Sequence, residues 1–248
     1  MSKMYKIGEK LLTLSDISKI LSEGIKIKLS QKSEKKVKEC RKYLDEKIKN
    51  SEVPIYGVNT GFGSLCNHKI SDEDLEQLQR NLVVSHACGI GDEVPLDVVK
   101  IMLLLKIQSL SYGHSAVQLE TINRLIDMFN NNILPVIFQL GSLGASGDLA
   151  PLAHMSLVLV GLGETYIPNK DGDFVKKDTS EVMKLMNWNP IHLKSKEGLA
   201  LLNGTQFMGA YGVWSLLKSQ KLSYLSDLIG TISLEAFDGR NECFDELI

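Results

Sequence analysis

The sequence predicts a mainly α-helical protein with minor β-hairpins. Three observations support this fold class. Apolar residues recur every three or four positions through most segments. Stretches rich in glycine, asparagine or proline separate those segments, and TYIPNKDGDFVK has the pattern of a hairpin with Asp171-Gly172 at its turn. The 248 residues suffice for one large domain or two small ones, and a hydrophobic content of 44% allows a sizeable core.

The first clear amphipathic helix is SEKKVKECRKYLDEKIKN, in which four apolar residues share one face: Val37, Cys40, Leu44 and Ile48. Acidic residues are interleaved with its lysines, which indicates a solvated surface rather than a nucleic-acid patch. The glycine-rich stretch SEVPIYGVNTGFGSL then predicts a loop. A helix follows over residues 71–86, because Ser71 and Asp74 form the pattern of a capping box at its start.

Four helices are predicted in the remaining chain. Residues 96–112 form an apolar helix that a glycine ends, and the next helix begins at a capping pair, Ser115 and Gln118. LAPLAHMSLVLVGL predicts a buried helix with Asp148 as its N-cap. The longest helix runs from about residue 204 to residue 236. It is nearly apolar all round over FMGAYGVWSLL, which predicts burial on several sides, in a bundle or a subunit interface.

Composition and charge exclude several classes of function. The formal net charge of −2 gives no broad attraction to nucleic acid or membranes. The N-terminal segment lacks the apolar core of a secretory signal, and every apolar run is far shorter than the ~20 residues of a membrane span. The cysteines lack metal-ligand spacing and are expected to be reduced thiols: Cys40, Cys66, Cys88 and Cys243. We therefore expect a cytoplasmic protein with no metal, nucleic-acid or membrane partner.

The stretch GSLGASGDLAPLAH, residues 141–154, allows several interpretations. It matches neither glycine-rich phosphate-loop pattern, and its serine does not stand in the G-x-S-x-G of a nucleophile elbow. A purely structural turn stays open. The chemical alternative is a tight turn in which the nitrogen of Gly147 attacks the carbonyl carbon of Ala145. Loss of water from the ring and from Ser146 would then give an electrophilic methylidene-imidazolone. His154, on the following helix, is interpreted as structural.

This stretch resembles the signature of the aromatic amino acid lyases, the family of the histidine and phenylalanine ammonia-lyases. Two further stretches resemble motifs of that family in the same order: YGVNTGFG at residues 56–63 and EGLALLNGTQ at residues 197–206. The resemblance implies a carbon–nitrogen lyase that acts on a small amino acid. It also implies a 4-methylidene-imidazol-5-one formed from Ala145, Ser146 and Gly147, with no external cofactor or metal.

The resemblance also implies roles for individual residues. Tyr56 corresponds to the family's base for the β-proton, and Asn203 to the amide that hydrogen-bonds the ring carbonyl. Asp148 corresponds to an acid linked to ring formation, although helix capping explains it equally well. Ser85-His86 stands where family members that act on histidine carry Ser-His. The implied reaction is therefore conversion of L-histidine to trans-urocanate and ammonia, with His86 binding the imidazole.

The chain is much shorter than is usual in this family. The resemblance implies an N-terminal catalytic region at residues 1–200 and the beginning of a truncated helical bundle at residues 201–248. Family members are tetramers whose sites combine subunits, so we expect an oligomer, with the C-terminal half on a separate chain as one arrangement. A catalytically silent fragment or paralogue that needs a complementary chain is one alternative. An aminomutase that uses the same prosthetic group is another.

Local departures from the family pattern lie near the triplet. Phe138 stands where a second proline is usual, and Gln139-Leu140 where an acid–base pair is common. Ala116 and Gln118 stand where glycine and arginine are usual. These substitutions leave Ala-Ser-Gly intact but put the rigid support of the loop in question.

Overall fold

The computed structural model describes residues 4–50, 53–63, 68, 70–71 and 73–247. The α-helices of these residues are α1 (Leu14–Ser22), α2 (Gln31–Asn50), α3 (Leu75–His86), α4 (Leu96–Ser111), α5 (Leu119–Asn130), α6 (Leu149–Leu157), α7 (Thr179–Met186), α8 (Glu197–Leu202) and α9 (Gln206–Ala236). The strands are β1 (Met4–Ile7), β2 (Lys26–Leu29), β3 (Ile90–Glu93), β4 (Leu134–Pro135), β5 (Phe138–Leu140), β6 (Glu164–Pro168) and β7 (Phe174–Asp178). They form three small sheets, ordered β1-β2, β3-β5 and β4-β6-β7. The predicted mainly α-helical class is confirmed.

Helix α4 lies at the centre of the hydrophobic core. Its segment IMLLLKIQSL is apolar on nearly every face, and side chains such as Leu103 and Ile107 are fully buried. Helices α2, α5 and α9 pack against it. Burial of one leucine-sized side chain contributes about 1.5–3 kcal/mol, so this helix is a major source of the fold's stability.

The predicted hairpin is present as β6 and β7. The two strands pair antiparallel, with Glu164 opposite Asp178. The turn between them is closed by Asn169, whose N–H donates to Asp173 O at 2.7 Å and whose carbonyl accepts from Gly172 N at 3.2 Å. The prediction of a tight turn around Asp171-Gly172 is therefore confirmed.

Two capping predictions differ from the structure. Ser71 Oγ donates to Asp74 Oδ2 at 2.6 Å, but α3 begins only at Leu75, after this turn. Gln118 occupies the N-cap position of α5 without a side-chain cap. Its amide instead donates to Glu197 Oε2 at 2.6 Å, because the fold brings a buried carboxylate to this helix end.

Helix α9 is long, as predicted, but it is mostly exposed within this chain. Its first half packs on the core through Phe207, Tyr211 and Trp214. Farther along, Leu222 and Ile232 are at least 60% exposed, and Ala210 is the buried residue of the helix. Over FMGAYGVWSLL the helix is covered on one side by this chain. Burial of its other sides, in a bundle or a subunit interface, stays a prediction.

Within the part of the chain that is described, no helix is long and apolar enough to cross a membrane. The same residues contain no group of three or more histidine, cysteine or acidic side chains that could hold a metal ion. Cys40, Cys88 and Cys243 are free thiols. Cys66 lies outside the described residues.

Candidate active site

The triplet loop, residues 141–148, folds back on itself at Ala145–Gly147. The backbone of Gly147 bridges to both Gly144 and Ala145, and Ser142 Oγ donates to the Gly147 carbonyl at 3.3 Å. Ala145 and Ser146 are exposed. The turn therefore places the backbone of Gly147 beside that of Ala145. These are the two residues that cyclisation would join.

Glycine is required at position 147 by both conformation and space. Its φ of +98° lies in the left-handed region, which side chains rarely adopt. A Cβ built on Gly147 would lie 2.4 Å from the carbonyl oxygen of Gly204. Gly144 also has a positive φ, +81°, but a Cβ there would meet nothing within 4 Å. Of these two glycines, Gly147 is therefore the one that packs against the backbone of the NGT loop, residues 203–205.

Asp148 joins the triplet loop to the NGT loop. Its N–H donates to Gly204 O at 2.8 Å, and its buried carboxylate accepts from the backbone N–H of Met208 at 2.9 Å. Met208 is the third residue of α9, so this carboxylate caps α9 and meets the positive end of that helix dipole. Asp148 occupies the predicted N-cap position of α6, but its side chain makes no cap bond to that helix.

A cleft of about 270 Å³ lies in front of the triplet. Its lining comes from three segments: His86 and Cys88 at the end of α3, residues 141–147, and the start of α6. The structure therefore brings the predicted substrate-binding histidine and the predicted ring-forming residues into one cleft. Ser85 is exposed and lies outside this lining, with its Oγ donating to Leu82 O at 3.2 Å.

The tautomer of His86 follows from its hydrogen bonds. Its Nδ1 lies 2.8 Å from the carbonyl oxygen of Leu82, one turn earlier in α3. A carbonyl oxygen can only accept, so Nδ1 must carry the proton. In the neutral ring, Nε2 is then a hydrogen-bond acceptor. This arrangement suits a ligand that presents an N–H group.

The end of α3 is fixed against the triplet loop by close backbone packing and by His154. A Cβ on Gly141 would lie 2.9 Å from Gly89 Cα, and Gly89 N donates to His154 Nε2 at 2.9 Å. Burial lowers the pKa of His154, which favours the neutral ring that this acceptor role requires. The ring of Phe138 packs on it edge-to-face, with centroids 5.2 Å apart. These contacts agree with a structural role for His154 and give Phe138 a packing partner.

Tyr56 and Asn203 lie outside the lining of this cleft in the described residues. Tyr56 is 60% exposed, and its ring contacts Phe62 edge-on. The next residue, Gly57, packs against α8, since a Cβ there would lie 2.6 Å from Leu199 Cδ2. The exposed Asn203 follows α8 directly. The third motif, which contains α8 and the NGT loop, therefore contacts both of the other motifs.

A family model described as aromatic amino acid lyase matches residues 12–248. The chain belongs to the aromatic amino acid lyase family.

It is 40% identical over its whole length to histidine ammonia-lyase 2 of Fusobacterium nucleatum, of which it covers 47%. The crystal structure of histidine ammonia-lyase from Trypanosoma cruzi matches with a TM-score of 0.86 and 30% identity, over 97% of this chain and 46% of that one. Phenylalanine aminomutase of Pantoea agglomerans matches with a TM-score of 0.79 and 30% identity, over 90% of this chain and 42% of that one. The chain spans about half the length of the curated relatives it matches.

Two of the residues at which the sequence departs from the lyase-family pattern, Ala116 and Gln118, are held by hydrogen bonds to other segments. Ala116 has a φ of +53°, a conformation in which glycine is normally favoured. Arg41 Nη1 donates to the Ala116 carbonyl at 2.8 Å and so holds this backbone in place. Gln118 donates both its backbone N–H and its side-chain amide to Glu197. Ala116 is thus held by Arg41 of α2, and Gln118 is held by Glu197 at the start of α8.

Sequence reasoning missed two buried ionisable residues: Glu197, the first residue of α8, and Lys106 of α4, which contacts the other end of α8. Glu197 is fully buried, and its carboxylate also accepts from Thr121 Oγ1 at 2.7 Å and Lys194 N at 2.8 Å. Lys106 is 1% exposed, and its Nζ donates to Ala200 O at 2.8 Å and Asn203 O at 3.3 Å. The available signals were a glutamate inside the EGLALLNGTQ motif and a lone lysine within the apolar run IMLLLKIQSL.

The burial of Lys106 predicts a specific dependence of stability on pH. Burial lowers its pKa from 10.5 to about 7, so between these values the unfolded chain binds more protons than the folded chain. The free energy of unfolding contributed by this group therefore rises with pH in that window, by up to about 1.4 kcal/mol per pH unit. We expect denaturant titrations of the parent and of Lys106→Met to diverge by about 2–3 kcal/mol between pH 7 and pH 9. A constant difference between the two proteins would contradict this assignment.

Proposed function

We propose that this chain is the N-terminal half of a histidine ammonia-lyase, which converts L-histidine to trans-urocanate and ammonia. The observation that carries the proposal is the single cleft that His86 shares with the tight Ala145–Gly147 turn. Residues 1–200 would form the catalytic region, and residues 201–248 the beginning of a helical bundle. The junction between them falls at α8 and Asn203, directly beside the triplet loop.

The residues of the triplet loop fit a methylidene-imidazolone. Gly147 has no side chain beside its nitrogen, it bridges to Ala145, and Ser146 is exposed to the cleft. When formed, this group supplies the electrophile that activates the substrate for loss of its amine. Asp148 fixes the loop by its two hydrogen bonds to the backbone of Gly204 and Met208. We assign it the role of holding the triplet in the compressed turn.

The substrate-handling roles follow from the chemistry of each side chain. His86 Nε2 would accept the N–H of the substrate imidazole, while Ser85 lies beside its Nδ1 at 3.2 Å and supports this ring orientation. Tyr56 would remove the β-proton, and Asn203 would donate its amide to the carbonyl of the prosthetic group. Both lie on segments that pack against or continue from α8, next to the NGT loop that contacts the triplet.

The partner proposed for this chain is a polypeptide segment equivalent to the C-terminal half of its relatives, within an oligomer. Two observations support it. The whole of this chain aligns with only 47–48% of two histidine ammonia-lyase relatives. In addition, the second half of α9 exposes four apolar side chains: Leu222, Leu228, Ile229 and Ile232. A catalytically silent fragment is the alternative that the same two observations favour. The similarity to an aminomutase structure keeps amine migration as a second candidate reaction.

The test of the proposed reaction is reconstitution. The chain is combined with a polypeptide carrying the C-terminal half of histidine ammonia-lyase 2 of Fusobacterium nucleatum, and L-histidine is added. We expect trans-urocanate and ammonia from the mixture and neither from the separate chains. A β-amino acid product would establish the aminomutase instead. Absence of any product from a mixture that forms a stable complex would favour the silent fragment.

Replacement of His86 by leucine should reduce histidine turnover selectively. The substitution keeps the apolar bulk of the side chain but removes the acceptor Nε2. Loss of one hydrogen bond to a polar substrate should lower kcat/KM for histidine by roughly 10- to 100-fold in the reconstituted enzyme. Ser85→Ala, which leaves the imidazole in place, is the matched control and should have a smaller effect. Unchanged histidine turnover in His86→Leu would refute the substrate assignment.

A further inference from the structure

Lys106 stands out among the charged residues because it is buried in the apolar core helix α4. Its side chain is 1% exposed, and desolvation lowers its pKa to about 7. A methionine or leucine would fill the same space without that cost. The amine is therefore expected to make an interaction that an apolar side chain cannot make. Its two hydrogen bonds show which interaction this is.

The two acceptors of Lys106 are the carbonyl oxygens of Ala200 and Asn203. Ala200 lies in the last turn of α8, where carbonyl groups lack partners within the helix. Asn203 is the C-cap of α8, with an extended backbone at φ −77° and ψ 128°. The ammonium thus holds the point at which the chain leaves α8 and enters the NGT loop.

The other side of the same loop is in contact with the triplet. Gly204 O accepts from Asp148 N at 2.8 Å, and it is also the atom that a Cβ on Gly147 would approach to 2.4 Å. The NGT loop is therefore held between Lys106 in the core and the triplet loop at the cleft. A shift of the NGT loop on the side that contacts Lys106 would therefore change the packing of Gly204 against Gly147.

We propose that Lys106 is a positioning residue that fixes the backbone of Asn203 and Gly204 against the Ala-Ser-Gly triplet. This inference rests on the proposed function for its catalytic consequence, but its structural part stands on the hydrogen bonds alone. Loss of the amine frees the NGT loop, which weakens the Asp148–Gly204 bond and the compression of the turn at Gly147. Displacement of a catalytic group by about 1 Å is enough to reduce a rate by about 100-fold.

The matched control for this proposal is Lys100 on the same helix. Lys100 is partly buried, burial lowers its pKa as well, and its Nζ donates to Asn132 Oδ1 at 2.6 Å. It therefore shares the helix, the charge and the type of partner with Lys106 but does not contact the NGT loop. The test compares Lys106→Met, Lys106→Arg and Lys100→Met.

Three measurements separate positioning from a general role in stability. Hydrogen exchange at the Asp148 amide reports the bond to Gly204, intact mass reports the fraction of chains that have lost two waters, and the reconstituted enzyme gives kcat and KM for histidine. In Lys106→Met we expect faster exchange at Asp148, a smaller dehydrated fraction, and a kcat lower by about 100-fold with KM little changed. Lys106→Arg should recover part of each effect, and Lys100→Met should resemble the parent.

Unchanged exchange at Asp148 in a folded Lys106→Met protein would overturn the proposal. If Lys106→Met does not fold, the same comparison is made with Lys106→Arg, in which altered exchange at Asp148 is expected, and parent-like exchange together with parent-like mass would overturn it. Failure of the proposed function has a different signature. In that case the parent chain itself lacks the mass change and yields no urocanate, while exchange at Asp148 still reports on Lys106.

Discussion

Replacing Gly147 with alanine is expected to abolish ring formation at the Ala-Ser-Gly triplet. The new Cβ would lie 2.4 Å from Gly204 O, and residue 147 would have to keep a φ of +98°. A non-glycine residue in such a conformation costs on the order of 1–3 kcal/mol, before the steric overlap is counted. The simplest relief is to move residue 147 away from the NGT loop, which breaks the bond from Asp148 N to Gly204 O.

Gly144→Ala is the matched control for this prediction. Gly144 has a φ of +81°, but a Cβ there would meet nothing within 4 Å. It should therefore cost about the conformational strain alone and should leave most of the dehydration at the triplet intact. Intact mass and denaturant unfolding of the two variants make the comparison. Equal dehydration in Gly147→Ala and Gly144→Ala would show that contact with Gly204 does not shape the triplet turn.

Replacing Glu197 with alanine is expected to cause the largest loss of stability of any single substitution considered for this chain. The carboxylate is fully buried and accepts four hydrogen bonds, two from Gln118 and one each from Thr121 and Lys194. Each buried donor left without an acceptor costs about 1–3 kcal/mol. Allowing for partial relaxation, we expect the free energy of unfolding to fall by roughly 4 kcal/mol, a large part of the ~5–15 kcal/mol of a typical domain.

Two comparisons make this prediction specific. Glu197→Gln keeps the size of the side chain but points an NH₂ group at two existing donors, so it should cost nearly as much as alanine. Glu120→Ala, at an exposed position in the first turn of α5, should change stability by about 0.5 kcal/mol or less. Denaturant midpoints of the three variants provide the measurement. A small effect of Glu197→Ala, similar to that of Glu120→Ala, would mean that this network does not anchor α8.

The sequence alone was sufficient to predict those helices and turns whose signals lie within a few neighbouring residues. Amphipathic periodicity located α2, and turn chemistry located the hairpin of β6 and β7, because both signals lie within a few residues. The three motifs indicated the family, whereas the contacts of α8 and the NGT loop with the other two motifs became visible only in the structure. The predicted roles of Tyr56, Asn203 and the Ser85-His86 pair stay predictions until the variants are measured.

Partners distant in sequence could not be predicted. The carboxylate of Asp148 caps helix α9, and the donor that it accepts from, Met208 N–H, lies 60 residues farther along the chain. The amide of Gln118 bonds Glu197, 79 residues away. A local capping rule assigns both side chains to the nearest helix, because it has no information about what the fold brings to them. The burial predicted for α9 is seen within this chain on one side only, because an apolar pattern indicates that a partner is needed but not which chain supplies it.

Peptide-resolved mass spectrometry of the folded chain tests the central claim most directly. Trypsin releases the triplet within one peptide, residues 125–170, because no lysine or arginine occurs between Arg124 and Lys170. Closure of the ring predicts that this peptide is lighter by two water molecules, and that the peptide from Ser146→Ala is not. A folded parent chain in which the peptide carries its full, unaltered mass would contradict the claim that Ala145, Ser146 and Gly147 form the electrophile.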